Sequence, residues 1–307
     1  NIASLKDVLG DMTLTNLLIE ELDLSQINFN GNTLTLQCKQ LNKIVGSETF
    51  NGSLFLLPKD CRLTEFTLEG ISNIQGDFQC IDYFYVKEFV MPFIRVAGDM
   101  TIALNSGSVN TAAEIEFPKL QEIGGTLTLG TNRNANNITF PLLKKILGSC
   151  SVTTYKLKND IEFTNLESIG TDGADAQIKF EIEATNILCP KLKTINGKFD
   201  IATSSFMFDM EVDKVSYPNV ESISENLSIT CPYSDFGSNG ILSIDFSGLK
   251  SAKGISISGQ GDVTDFSSFK YLFENNVLTG ESQWSVKECG YNPTFQEMKD
   301  GKYKLAE

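Results

Sequence analysis

The feature that most constrains the fold is a phrase that returns along the chain at nearly regular intervals. An aromatic residue and a proline are followed by leucine, isoleucine and glycine, and then by a short run of alternating apolar and polar residues. Clear copies occupy 117–129, 140–152, 189–201, 217–229 and 91–102, and degenerate copies occupy 163–169 and 246–252. Successive copies are 27, 23, 23, 26, 28 and 29 residues apart, counted between Phe93, Leu120, Leu143, Leu166, Leu192, Val220 and Leu249. Repeats of this period indicate a solenoid.

Each part of the phrase predicts a local structure. The alternating run predicts a short strand with one buried face, and the glycine before it allows a tight bend or a close backbone approach. The aromatic-proline pair begins a turn that runs extended. Because one coil buries too little apolar area to be stable alone, neighbouring coils must stack and share a core. We therefore predict an all-β dominated β-solenoid with parallel sheets. A β-sandwich is the alternative, but it would not need the same phrase each time.

Weaker similarity extends the repeat toward the N-terminus. Residues 41–44 leading into 54–56, and residues 71–78, fit the phrase imperfectly, and 34–36 form an earlier strand. We expect about nine coils in a solenoid of residues 1–270, with the clearest repeats at 89–257. A short N-terminal helical cap is predicted over 3–9, and 271–307 are predicted to be a C-terminal capping tail, because an open sheet end invites aggregation.

Composition excludes several functional classes. The 39 acidic and 25 basic residues give a net charge of -14, so nucleic acid and anionic membranes are disfavoured partners. The chain has no histidine, which removes Ser-His-Asp and Cys-His catalysis and histidine-ligated metals. No apolar run reaches about 18 residues, so no transmembrane segment is expected. A start at Asn1 without a leader fits a chain whose export signal has been removed.

The seven cysteines are widely spaced and form no CxxC pair, which argues against a zinc or thioredoxin-like motif. Four fall in phase with the apolar strand positions, namely Cys38, Cys80, Cys150 and Cys231. Cys189 replaces the aromatic residue before a proline. We interpret these five as small buried hydrophobic residues. Cys61 and Cys289 lie outside that phase, and whether they pair with each other stays open.

The repeat phrase resembles that of the receptor L domain, which occurs in growth-factor receptor ectodomains and fungal wall proteins. It is also similar to the repeat of leucine-rich surface lipoproteins of Bacteroidetes. The bacterial proteins are the favoured resemblance, because the chain lacks the dense cysteine-rich modules of the animal receptors and its tail at 289–295 resembles the endings of such lipoproteins. The likeness covers about residues 89–257. It implies a right-handed solenoid, an exported cell-surface or extracellular location that is compatible with a lipid anchor upstream, and a ligand- or partner-binding role. It supplies no catalytic residue and no cofactor.

A carbohydrate-active β-helix, a polysaccharide lyase or glycosidase-like enzyme, is the catalytic alternative. Most outward strand positions carry hydroxyl groups, which is typical of a solvated sheet. The exception is Glu181, Glu183 and Asp200 in adjacent coils, which would suit a cation or a carboxylate pair of the retaining-glycosidase type. Lys179 and Lys198 lie beside them, so mutual charge compensation is the favoured interpretation. We expect no enzymatic activity, no metal and no cofactor.

Recognition by loops on a rigid scaffold is the favoured function. Phe206 and Phe208 follow the strand in one coil, and Tyr233 and Phe236 follow it in the next, within polar stretches. Aromatic rings beside small polar groups stack on sugars or anchor a protein partner. The alternative is that these rings, like the aromatic run at 82–85, pack over the solenoid edge. We predict a non-enzymatic adhesion or binding module for a glycan or protein ligand.

Overall fold

The structure, a computed structural model, describes residues 5–57, 65–81, 88–103, 113–130, 135–153, 159–173, 175–182, 186–203, 214–230, 241–259 and 262–306. The protein is all-β: of the residues that the structure describes, 44% are strand and 7% are helix, and the parallel sheets stack as a β-solenoid of about eight turns. The predicted fold class is confirmed, with about eight turns where the repeat had suggested nine.

Twelve parallel strands form one face of the solenoid, which we call the front sheet. In chain order they are Met12–Thr15, Thr33–Gln37, Ser53–Leu56, Phe78–Ile81, Met100–Ala103, Leu127–Leu129, Cys150–Thr153, Ala176–Ile182, Gly197–Thr203, Asn226–Thr230, Gly254–Ser258 and Trp284–Lys287. Each strand pairs with that of the coil before and the coil after, so the stack advances about 4.8 Å per turn. The early strand expected at 34–36 is present as Thr33–Gln37.

Two further faces complete each turn. The side sheet has eight strands, namely Thr49–Phe50, Asn73–Ile74, Arg95–Val96, Glu122–Ile123, Lys145–Ile146, Ser168–Ile169, Thr194–Ile195 and Ser222–Ile223. The back face has three smaller sheets. The first has three strands, Glu21–Asp23, Lys43–Val45 and Thr67–Glu69, and the second has five, Glu88–Val90, Ala113–Glu116, Ala135–Thr139, Ile161–Glu162 and Ile187–Leu188. The third has two strands, Lys214–Ser216 and Ser243–Asp245.

The core consists of columns of equivalent residues from successive coils. Side chains alternate across a strand, so a four-residue front strand directs two residues inward, and each of the two seven-residue strands directs four. The register places Leu127 beside Cys150 and Cys150 beside Ile178, and all three are completely buried. The leucine positions of the repeat phrase are also completely buried, including Leu120, Leu143, Leu192 and Val220. The stacking that the repeat predicts is therefore present.

The aromatic-proline phrase forms a hydrogen-bonded turn between the back and side faces. The Leu120 N–H donates to the Phe117 carbonyl at 3.3 Å, which closes a four-residue turn around Pro118. Proline is favoured at the second position of such a turn because its φ is already fixed. The next amide, of Gln121, donates to the Ile94 carbonyl of the preceding coil at 2.9 Å. The same turn bond is made by Leu143, Leu166, Leu192, Val220 and Leu249.

The aromatic residues of the phrase stack on one another inside the solenoid. The rings of Phe117 and Phe140 lie 4.8 Å apart and almost parallel, and those of Phe140 and Phe163 lie 5.0 Å apart. Cys189 occupies the next position, and Tyr217 follows it with its hydroxyl group donating to the Ile187 carbonyl at 3.0 Å. The buried tyrosine therefore keeps a partner for its polar group, as buried polar groups generally require.

Glycines of the phrase stand where successive coils approach most closely. The Gly125 N–H donates to the Gly98 carbonyl at 2.9 Å, and the Gly148 N–H donates to the Gly125 carbonyl at 3.0 Å. A Cβ atom on Gly148 would lie 2.6 Å from the carbonyl carbon of Gly125, and no real side chain tolerates that distance. Close backbone approach is therefore the reason for glycine at this position.

The first coils differ from what the match to the repeat phrase had predicted. Residues 41–44 had been aligned with the turn into the side sheet, but Ile44 lies in the back strand Lys43–Val45, beside Leu22 and Leu68. The side strand of that coil is Thr49–Phe50. This coil lacks the aromatic-proline turn, so only the apolar spacing was available to guide the alignment, and the same spacing occurs on another face.

The two ends of the described chain differ. Residues 5–9, where a helical cap had been expected, run extended. The Val8 N–H donates to the Asn28 carbonyl, and the Asn28 N–H donates to the Lys6 carbonyl, each at 2.8 Å. At the other end the helices α1 (Lys270–Glu274) and α2 (Phe295–Lys299), with 3-10 turns at Ser267–Phe269 and Glu281–Gln283, enclose the last front strand. The indole N–H of Trp284 donates to the Pro293 carbonyl at 2.8 Å and so ties the tail to this strand.

The cysteines behave as small apolar residues wherever the structure describes them. The buried thiols are Cys38, Cys80, Cys150, Cys189 and Cys289. Burial raises the pKa of the Cys150 thiol well above its ordinary value, and it does the same at Cys189. Deprotonation of these two thiols is therefore disfavoured. Cys61 and Cys231 lie outside the described residues, so the pairing of Cys61 with Cys289 stays open.

Candidate binding face

The outer surface of the front sheet carries the acidic residues singled out from the sequence. Its central column runs through all twelve strands, and eight of the twelve side chains are hydroxyls. In chain order the column is Thr13, Thr35, Phe55, Gln79, Thr101, Thr128, Ser151, Lys179, Asp200, Ser228, Ser256 and Ser285. Neighbouring groups repeat at the strand spacing of about 4.8 Å. The sheet therefore presents a row of hydrogen-bonding groups along the stack.

A second column, at the start of these strands, has a structural role that the sequence analysis missed. The Asp77 carboxylate accepts from the Asp99 N–H at 2.8 Å, and the Asp99 carboxylate accepts from the Thr126 N–H at 2.6 Å. The Ser53 hydroxyl accepts from the Asp77 N–H at 2.9 Å. These side chains satisfy amide groups of the next coil, so their oxygens are already engaged. The sequence signal is a short polar residue just before the first inward residue of a front strand, as at Ser53, Asp77 and Asp99.

Glu181 and Asp200 lie in adjacent coils but in different columns. The register sets Lys179 opposite Asp200, and Glu181 opposite Ala202. The Lys179 Nζ atom lies 2.5 Å from Glu181 Oε1, and the Lys198 Nζ atom lies 3.0 Å from Asp200 Oδ2. The two carboxylates are therefore diagonal neighbours, each paired with a lysine two residues earlier on its own strand.

The protonation of Glu181 follows from these contacts. Partial burial raises the pKa of Glu181, but hydrogen bonds from Lys179 and from the Thr153 hydroxyl, together with the charge of Lys179, outweigh burial and lower it. The Thr153 hydroxyl donates to Glu181 Oε2 at 2.7 Å. A glycosidase general acid needs a raised pKa so that it holds its proton near neutral pH. The shift at Glu181 has the opposite sign. Glu183, the third member of the acidic set, lies outside the described residues.

The aromatic candidates Phe206, Phe208, Tyr233 and Phe236 also lie outside the described residues. The strands that precede them, Gly197–Thr203 and Asn226–Thr230, are hydrogen-bonded neighbours in the front sheet. Both strands run in the same direction, so they end at the same edge of the front sheet. The run at 82–85 follows the strand Phe78–Ile81, which lies five strands away in the front sheet, or about 24 Å.

No group of three or more histidine, cysteine, aspartate or glutamate side chains suited to a metal ion occurs within the part of the chain that the structure describes. Within the same residues, no helix is long and apolar enough to cross a membrane.

The fold places the chain among parallel β-solenoids. No family model, no curated protein and no solved structure matches it.

Proposed function

We propose that this chain is a non-enzymatic binding or adhesion module of receptor-L-domain-like, leucine-rich type, exported to the cell surface or secreted, which recognises a glycan or a protein ligand. The single observation that carries the proposal is the column of hydroxyl groups on the rigid front sheet. Serine and threonine both donate and accept hydrogen bonds, as sugar hydroxyls do. A parallel, in-register sheet holds these groups in fixed positions, which lowers the entropic cost of binding.

The loops that leave the front sheet supply the second part of the proposed site. Binding residues concentrate on loops that a rigid scaffold positions. The strands Gly197–Thr203 and Asn226–Thr230 end at one edge of the front sheet, and Phe206, Phe208, Tyr233 and Phe236 follow these strands in the sequence. Aromatic rings at such an edge would stack on sugar rings or anchor a partner side chain. The ligand would then lie over the edge and reach the hydroxyl column.

The carbohydrate-active alternative receives no added support from the acidic residues. A retaining glycosidase needs one carboxylate that keeps its proton and a second one at about 5–5.5 Å that acts as the nucleophile. Lys179 lies beside Glu181 on one strand and opposite Asp200 on the next, so both carboxylates have a neighbouring cation. Charge compensation accounts for the arrangement.

A glycan array probed with the intact chain tests the proposal. We expect Phe206→Ala and Tyr233→Ala each to lower binding of any glycan ligand by tenfold or more, because ring stacking would be lost. Tyr271→Ala is the matched control, since this tyrosine is 41% exposed on helix α1 of the C-terminal cap. It should leave binding unchanged. If the array shows no binding, the same variants are tested against protein ligands captured from the cell surface. Equal effects of all three variants would refute the site.

A further inference from the structure

The side face carries a concentration of positive charge on a chain whose net charge is -14. We call this surface the lysine strip; it comprises the exposed residues Lys119, Lys144, Lys145, Lys191 and Lys193. The side strands of these coils run from Glu122–Ile123 to Thr194–Ile195 and are successive neighbours. The strip therefore spans three strand spacings, about 14 Å along the stack.

Elsewhere on the same face, cations are matched by carboxylates of the neighbouring coil. The Arg95 Nε atom lies 2.9 Å from Glu122 Oε1, and the Lys250 Nζ atom lies 2.8 Å from Glu221 Oε2. Lys253 pairs in the same way with Glu225. Among the residues that the structure describes, none of the five lysines of the strip forms an ion pair. The strip is thus the part of this face where pairing between coils stops.

Three carboxylates neighbour the five lysines of the strip, namely Glu122, Glu167 and Glu221, and Arg95 and Lys250 already pair with two of them. Glu167 lies between Lys144 and Lys193, since backbone hydrogen bonds of 2.9 and 3.0 Å link the three residues across successive coils. Glu122 stands opposite Lys145, but one of its oxygens already binds Arg95. Three carboxylates against five lysines leave a local excess of positive charge, which a bound polyanion would neutralise.

The residues around the lysines favour a polysaccharide over a protein. Asn165, Ser168 and Thr194 lie on the same coils and offer amide and hydroxyl groups, and Lys191 donates to the Asn165 side-chain oxygen at 2.5 Å. Protein interfaces are enriched in aromatic residues and arginine, and depleted in lysine. Lysine ammonium groups are point charges that bind carboxylates without a fixed geometry. Nucleic acid would bring a denser charge than the acidic remainder of this chain tolerates.

We propose that the lysine strip binds an acidic polysaccharide, with the polymer lying along the stack across four coils. This inference rests on the proposed binding function and names the charge class of one ligand. The recognising groups are the ammonium groups of the strip, which contact uronate or sulfate groups, and the neighbouring amides and hydroxyls, which contact sugar hydroxyls.

Polygalacturonate and its methyl ester are suitable probes, because they share a backbone and differ in charge. We expect the intact chain to bind polygalacturonate at least tenfold more tightly than the ester in 50 mM NaCl, and to lose most of that binding in 300 mM NaCl. Lys144→Gln with Lys145→Gln should weaken binding of polygalacturonate tenfold or more. The control is Lys299→Gln with Lys302→Gln, which removes the same charge from the exposed C-terminal cap and should change binding less than twofold.

Each contrary result overturns the inference. Failure of wild-type chain to bind polygalacturonate, equal binding of its ester, or equal losses in both double variants would refute the lysine strip as a polysaccharide site. A DNA duplex or poly-glutamate that binds as tightly, with the same dependence on Lys144 and Lys145, would refute the assignment to polysaccharide. A glycan that binds through Phe206 and Tyr233 but not through the lysines would leave the proposed function intact and refute only the strip.

Discussion

Substitution of Gly148 by alanine tests the closest contact between coils. The added Cβ atom would lie 2.6 Å from the carbonyl carbon of Gly125, 2.8 Å from its oxygen and 2.9 Å from the Thr126 nitrogen. All three are backbone atoms, so the clash cannot be relieved by rotation of a side chain. The coils must separate locally, which strains the bond from the Gly148 N–H to Gly125. Overpacking of a tight interior costs about 1–3 kcal/mol, and we expect the upper part of that range, about 3 kcal/mol.

Urea unfolding followed by far-ultraviolet circular dichroism measures the effect. A loss of about 3 kcal/mol corresponds to a fall in Tm of about 5 °C for a chain of this size. Gly280→Ala is the control, because its φ of -133° suits alanine and the nearest atoms to an added Cβ lie 3.8 and 3.9 Å away. It should change stability by less than about 0.5 kcal/mol. If Gly148→Ala matched this control, the close approach of the glycine column would be refuted.

Three further predictions follow from burial, hydrogen bonding and ionisation. Leu143→Ala should destabilise the chain by about 2–5 kcal/mol because it opens a cavity. Leu142→Ala, at an adjacent residue that is 42% exposed, should have almost no effect. Equal effects of the two substitutions in urea unfolding would refute the buried column of leucine positions. Tyr217→Phe should cost about 1–2 kcal/mol, because the buried Ile187 carbonyl would lose its donor; an unchanged midpoint would contradict this. The lowered pKa of Glu181 means that its carboxylate stabilises the fold above the pKa of the unfolded chain, and that this contribution disappears as pH falls through the folded value. Glu181→Gln should therefore lower Tm at pH 7 and much less at pH 3, and a pH-independent difference would contradict the ion pair.

The sequence predicts the architecture well because local chemistry and stacking agree within each strong copy of the phrase. At 117–129 the proline turn, the glycine and the alternating strand each specify one part of a coil, and the structure has all three. Residues 41–44 show the limit, since apolar spacing without a turn signal does not say which face a strand joins. The prediction of an N-terminal helix was wrong for a similar reason. The backbone hydrogen bonds of Val8 and Asn28 join residues about twenty positions apart, and they override a weak local preference for helix.

The candidate site was less accessible from sequence. The pairing of Lys179 with Glu181 and of Lys198 with Asp200 could be anticipated, because residues two apart on a strand share a face. The sequence could not show that Glu181 and Asp200 lie in different columns, because that offset depends on the register between coils. The lysine strip was also missed, because its members are distant in sequence and the net charge of the whole chain conceals a local excess of the opposite sign.

The coils differ in length more in the segment after the front strand than in the segment from the aromatic residue to that strand. From the aromatic residue to the second inward strand residue the separation is 12 residues in the copies beginning at Phe117, Phe140, Cys189 and Tyr217. The coil beginning at Phe163 is an exception, with an insertion before its front strand. In those four copies the period varies only after the front strand, where the aromatic candidates lie. Such a division lets the segments after the front strand lengthen, shorten or be exchanged without disturbing the stacked scaffold, so this chain is a natural framework for grafting new loops.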